Sequence, residues 1–445
     1  MTALMKNFIL AIISCFFLEG YTQSPYVAKL DSFVQALSSR GLAMGSLAIS
    51  KDGKPYYQKA FGYAYIGGGQ QTTPDALTKY RIGSISKMFT ATMIFQLVEE
   101  GKLSLATTLA TFFPDLPNAS AITITHLLYH RSGLHDYTHD TDFDHWMEKP
   151  KTHEELLNII KQKGTDFAPN TKADYCNTNF LLLGYIIEKI TGSSYADQLK
   201  RRITEKLDIK NTHYGSAIDT KKNEAASYKY SEGQWISEKE TDMSIHGGAG
   251  SIVSTPQDMI RFIESLFAYK LVTQKSVTAM TTLVEGYGMG IFPDKYGSRP
   301  SFGHNGKVEE FASSLWYFPS EKLSIAYVTN GMVYPRDEIM EGILKICFGE
   351  KLVIPFSKPI ALKPGDLVKY LGKYTSQQLP FAVNCSSENN QLFLEAAGKK
   401  FEAEPINENY FMHKPSGTFF EFLPAKEEML IKESHNVYYT KRERP

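Results

Sequence analysis

Ser84-Ile85-Ser86-Lys87 opens a stretch that keeps helical period to about Gly101. Met88, Met93, Ile94, Leu97 and Val98 supply its apolar face, and Gly101 stands where a C-terminal cap belongs. A serine hydroxyl is a poor nucleophile until a base is held beside it. On the first turn of a helix, residues i and i+3 share a face, so this spacing sets the Lys87 amine next to the Ser84 oxygen. The helix N-terminus adds the positive end of a dipole, which favours an oxyanion developing there. No other Ser-x-x-Lys occurs in the chain. Taken alone, the same four residues also suit an N-capping serine followed by a surface lysine.

Two further groups lie downstream. Tyr175-Cys176-Asn177 sits between the loop residues Ala168-Pro169-Asn170 and a helical run from Leu181 to Ile190 that ends at Gly192. A tyrosine relays a proton when a neighbouring cation lowers its pKa, and Lys87 can be that cation. Asn177 can donate to a substrate carbonyl and also hold Lys87. Gly303-His304-Asn305-Gly306 precedes a hairpin, and its glycines at a strand start would let a substrate backbone come close. Each group alone also reads as ordinary packing or a turn.

Together, in this order and spacing, the three groups resemble the serine β-lactamase-like superfamily: class C β-lactamases, D-alanyl-D-alanine carboxypeptidases, D-aminopeptidases and related esterases. Tyr80-Arg81-Ile82-Gly83, the segment from Thr123 to Leu134, Gly247-Gly248-Ala249-Gly250-Ser251 and Tyr287-Gly288-Met289-Gly290 also look like segments of that family. The resemblance covers roughly residues 25–350. It implies acyl transfer through a covalent acyl-enzyme, with Ser84 as nucleophile and Lys87 and Tyr175 sharing the base role. It implies substrate binding by Asn177, His304, Gly306 and Lys307, with an oxyanion hole built from the backbone N–H groups of Ser84 and Lys307. No cofactor is implied. The expected substrate is a small molecule or peptide, most readily a D-amino-acid peptide. An ester, a β-lactam, or a non-catalytic penicillin-binding role are the alternatives. His304 replaces the lysine of typical β-lactamases, and a mostly neutral imidazole suits a drug carboxylate poorly. Cys176 is expected to point away from substrate.

The rest of the chain fits this reading. Strand-like runs at 46–50 and 56–63 flank Asp52-Gly53, and a second hairpin is expected at 311–318 and 323–328. Residues 105–210 read as mostly helical, with a capping box at Thr152-His153-Glu154-Glu155. Early and late strands pairing in one sheet give an α+β fold: an antiparallel sheet from N- and C-terminal segments, with a helical insert. The hydrolase domain is expected over 23–355, and residues 363–445 read as a small all-β domain.

Lys6, the apolar run Phe8 to Leu18 and a small-residue exit read as a signal peptide over residues 1–22, which predicts a secreted or periplasmic protein. Cys15 also sits in a sequence like a lipoprotein box. No later segment looks transmembrane. Lys plus Arg and Asp plus Glu balance at 48 each, which argues against nucleic-acid partners. Four widely spaced cysteines are not a disulfide framework. His126 and His130 are four apart and would share a helical face, yet Leu127 stands where a zinc-protease glutamate belongs, so no metal is expected. Nothing in the sequence speaks to oligomeric state.

Overall fold

A computed structural model describes residues 25–352, 362–363 and 365–443. The expected signal peptide and the Cys15 box lie outside these residues. The central element is a six-stranded antiparallel sheet. Its strands are β1 (Ala43–Lys51), β2 (Lys54–Phe61), β3 (Phe292–Tyr296), β4 (Arg299–Val308), β5 (Phe311–Phe318) and β6 (Leu323–Met332). They lie in the order β3-β4-β5-β6-β1-β2, so β1 closes against the last strand of the sheet. The register sets Ala48 opposite Ala326. Both strands are buried along almost their whole length, because helices cover both faces of the sheet there.

One face packs on α1 (Pro25–Ser39) and on a late helix (Arg336–Cys347), through Leu30, Phe33 and Ile343. The other face carries the helical insert. It is led by α2 (Ser86–Glu99) and α3 (Asn177–Thr191), with α4 (Pro256–Phe267) lying on β1, β5 and β6. Phe89 of α2 stacks on Phe262 of α4 at 3.7 Å, and both are fully buried. A side chain buried in this way contributes roughly 1.5–3 kcal/mol. The capping box at Thr152 forms as read, and Gly192 ends α3 in the left-handed conformation.

Two sequence expectations need correction. The stretch 105–210 is less helical than its periodicity suggests. Residues 112–123 form no α-helix, and Pro114 and Pro117 stand where a helix would have to run. The Gly303–Gly306 group is not at a strand start but inside β4, because the strand begins at Arg299 in a hairpin with β3.

Residues 372–442 form a closed eight-stranded barrel around Tyr370, Leu394, Phe411 and Phe420. It docks on the sheet through Tyr410, Met412 and Phe419, which join the cluster holding Tyr334 and Phe33. Lys432 of the barrel pairs with Glu338 of the late helix and, at 2.8 Å, with Glu421. Cys176, Cys347 and Cys385 are free thiols. Among the described residues no helix is long and apolar enough to cross a membrane.

Candidate active site

The residue before Ser84 shapes the site. Gly83 has a φ of +51°, and a Cβ built on it would lie 2.7 Å from the Lys307 nitrogen. Only glycine lets the chain turn there against β4. Ser84 sits in the resulting 3-10 turn, Gly83–Ile85, which runs directly into α2. Lys87 is one turn on and has no exposed surface. Its Nζ lies 3.0 Å from Ser84 Oγ, 2.8 Å from Asn177 Oδ1 and 2.9 Å from the Ala249 carbonyl. No carboxylate forms an ion pair with it among the described residues. Burial therefore dominates and lowers its pKa from 10.5 to about 7, against the pull of Asp136.

Tyr175 comes in on a braced loop. Arg131 donates to Asn170 Oδ1 at 2.9 Å and pairs with Glu285 at 2.6 Å, while Glu285 accepts from the Ala173 N–H at 2.6 Å. The Tyr175 ring stacks on His130 at 4.5 Å and lies 4.8 Å from Lys87 Nζ. Burial pushes its phenol well above the ordinary range, with Ser84 pulling the other way. The structure thus brings Ser84, Lys87, Tyr175 and Asn177 into one cluster.

His304 faces the same centre from β4, with its ring 6.3 Å from that of Tyr175 and 4.6 Å from that of Phe292. Burial and Lys87 lower its pKa to about 3, so the imidazole is neutral. Nδ1 meets the Asn305 carbonyl, and Nε2 is buried without a partner. Gly306 gives up its side-chain space to the protein itself. A Cβ there would lie 2.1 Å from the Ile82 carbonyl and 2.3 Å from Ser313 Oγ. Its smallness closes β4 onto Ile82 and β5, rather than admitting a substrate backbone. Lys307 lines a cleft together with Ser84, while its neighbours His304, Gly306 and Val308 are buried.

The cleft holds about 710 Å3. Ser84, Tyr175 and Asn177 stand on one side, with Phe143, Met147 and His246 among the remaining walls. The parts played by Asp136, His130 and Arg81 were not read from the sequence. Asp136 is buried and accepts from the backbone N–H of Asn177 at 2.7 Å. His130 accepts the Cys176 N–H on Nδ1 at 3.0 Å. Arg81 is buried between Glu240 and Glu309, the latter at 2.5 Å, and ties the segment leading to Ser84 to the end of β4. All three effects come from contacts distant in sequence.

Cys176 turns away from the cleft toward the Leu134 carbonyl at 3.3 Å, and burial pushes its thiol up to about 12. His126 and His130 do not share a helical face. The helix ends at Leu128, and His130 follows at a φ of +56°. His126 Nδ1 is used in a capping box, where it accepts from the Thr123 N–H.

The β-lactamase family model matches residues 30–346, and the chain belongs to that family. Teichoic acid D-alanine hydrolase of Staphylococcus aureus is 28% identical over 275 residues, covering 62% of this chain and 65% of that protein. The chain thus matches just under two thirds of that relative's length. The D-amino acid amidase of Ochrobactrum anthropi SV3 superposes with a TM-score of 0.65 at 26% identity, over 73% of this chain and 99% of that one. An octameric penicillin-binding protein homologue from Pyrococcus abyssi shares the fold over 93% of this chain and 99% of its own, with a TM-score of 0.66 at 24% identity.

Proposed function

We propose that this protein is a serine hydrolase that cleaves an amide or ester of a D-amino acid through an acyl-enzyme on Ser84. The observation that carries the reading is the set of partners around Lys87. Two of its three neighbours, Asn177 Oδ1 and the Ala249 carbonyl, can only accept a hydrogen bond. A neutral amine gives its two N–H groups to them and keeps its lone pair for the Ser84 hydroxyl, 3.0 Å away. A pKa of about 7 makes that neutral form available near neutrality.

In this mechanism Lys87 takes the Ser84 proton as Oγ attacks the substrate carbonyl carbon. The oxyanion is held by the N–H groups of Ser84 and Lys307. The carbonyl re-forms, the bond to the leaving group breaks, and that group departs with a proton relayed through the Tyr175 hydroxyl. A water then attacks the ester, Ser84 recovers its proton, and the D-amino acid leaves. Tyr175 acts as a neutral phenol, since burial holds its proton firmly. Asn177 lines the acyl group, while the neutral His304 is buried.

The D-amino-acid preference is supported by two of the three relatives named above, the teichoic acid D-alanine hydrolase and the D-amino acid amidase. The leader read at residues 1–22 supports work outside the cytoplasmic membrane. The test is hydrolysis of D-alanine amide, L-alanine amide and a D-alanyl ester, with fluorophosphonate labelling of the protein and of Ser84→Ala. D-selective turnover with labelling lost in Ser84→Ala is expected. Stable penicillin labelling without turnover of any substrate would instead indicate a sensor.

A further inference from the structure

The acyl-transfer steps above leave one buried carboxylate unused. Asp136 is 4% exposed. Its Oδ2 accepts from the Asn177 backbone N–H at 2.7 Å and from Asn177 Nδ2 at 3.1 Å. Its Oδ1 accepts from the Thr138 N–H at 3.0 Å and from Thr138 Oγ1 at 2.7 Å. Thr138 Oγ1 in turn accepts from Asn177 Nδ2 at 3.0 Å. The carboxylate thus meets only donors, and its lone pairs are fully used.

This arrangement settles the orientation of a side chain with two nearly identical ends. An amide can present either its oxygen or its NH2 group to a neighbour, and the network around it decides which. A carboxylate only accepts. It therefore draws the NH2 of Asn177 to itself and turns the carbonyl oxygen to Lys87, 2.8 Å away. With the amide reversed, NH2 would face the lysine amine, and Lys87 would lose one of its two carbonyl acceptors.

We infer that Asp136 is the positioning residue of the Ser84–Lys87 pair: by fixing the Asn177 amide it keeps two carbonyl acceptors on Lys87 and so aims the amine lone pair at Ser84. The inference rests on the acyl-transfer reading. Asp136 has a second effect, because its charge is the main influence raising the proton affinity of Lys87 against burial. The other groups facing Lys87 are the Ser84 hydroxyl, the Tyr175 and Phe180 rings, the Cys176 thiol, and the imidazoles of His130, His246 and His304. Burial holds those three imidazoles neutral, so Asp136 is the anion among them.

A purely structural role is the competing explanation. The Asn177 N–H is the first of α3, and a carboxylate there also stabilises the helix terminus. Loss of a cap lowers the melting temperature but does not move a proton affinity in the site. The experiment is the pH dependence of kcat and kcat/KM for D-alanine amide, with the full chain and its Asp136→Asn and Asp136→Glu variants. For Asp136→Asn, kcat falls by about a hundredfold with KM little changed. Its acid limb in kcat/KM moves to lower pH, since removing the anion makes Lys87 easier to deprotonate. Asp136→Glu keeps the charge and keeps the limb where the parent has it. A folded Asp136→Asn with parental kcat and limb overturns the inference. If Asp136→Asn does not fold, Thr138→Val is read in its place. It removes the hydroxyl shared by Asp136 and Asn177, and parental kcat in that variant overturns the inference equally. Failure of the unmodified protein to turn over or label at Ser84 would instead strike the hydrolase reading beneath it.

Discussion

Gly83 and Lys307 pack so closely that a methyl group on the first would strike the backbone of the second, at 2.7 Å from both its nitrogen and its oxygen. Gly83→Ala therefore has two costs. The left-handed φ of +51° is worth about 1–2 kcal/mol against a side chain, and β4 must shift to relieve the contact. On the proposed mechanism that shift moves the Lys307 N–H away from the oxyanion it would hold. The expected result is a lower melting temperature with a larger loss in kcat than in KM, read by thermal melts and steady-state kinetics.

Lys87 predicts both a pH profile and a trade of stability for activity. Around Lys87, His246 and His304 lie at about 3, and burial lifts Tyr175 the other way. The acid limb of kcat/KM is therefore expected at about pH 7 and belongs to Lys87. Its lowered pKa also means that the folded state binds the proton less tightly than the unfolded chain. The cost to folding is full below about pH 7 and shrinks as pH rises toward 10.5, where neither state holds the proton. Lys87→Met should abolish turnover yet melt at a higher temperature than the parent, with the gap widest at acid pH. A destabilised Lys87→Met at pH 6 would contradict this account.

Tyr175→Phe separates relay from base. Loss of the hydroxyl is expected to lower kcat by about a hundredfold or more, while the acid limb stays near pH 7. A limb that vanishes in this variant would transfer the base role from Lys87 to Tyr175.

Arg81 is the buried cation between Glu240 and Glu309, and Glu309 also accepts from the Thr241 N–H at 2.7 Å. Arg81→Leu leaves Glu309 as an uncompensated buried acid, which costs about 3–5 kcal/mol. The double variant Arg81→Leu with Glu309→Leu should recover much of that loss in chemical denaturation. Equal stability of the single and double variants would mean that the pair is not coupled.

How far the sequence went depends on the range of each interaction. The Ser84–Lys87 contact was legible because both residues lie one turn apart on the same chain segment. The hairpins at 43–61 and 311–332 were legible because alternation and turn residues are local signals. Tyr175, Asn177 and His304 had no local signature, and only the order of the motifs tied them to Ser84. Asp136 was invisible, since nothing in one chain marks an aspartate that will be buried against a distant asparagine. The pairing of β3 with β4 was missed although it is local, Tyr296 meeting Arg299 across the turn Gly297-Ser298, which is why His304 seemed to precede a strand rather than lie inside one. The membership of residues 30–346 in the β-lactamase family agrees with the reading made from those motifs.

The barrel does not sit on its neighbour as a detachable bead. Tyr410 and Phe419 stack edge-on against Tyr334 at the end of the central sheet. His435, on a turn of the barrel, reaches Glu310 at 3.0 Å, and Glu310 lines the cleft that holds Ser84. Shortening the gene at the linker would therefore bare an oily patch and free one lip of the cleft at once. In evolutionary terms the two halves are poor candidates for shuffling: a new partner for either would have to match both the patch and the lip.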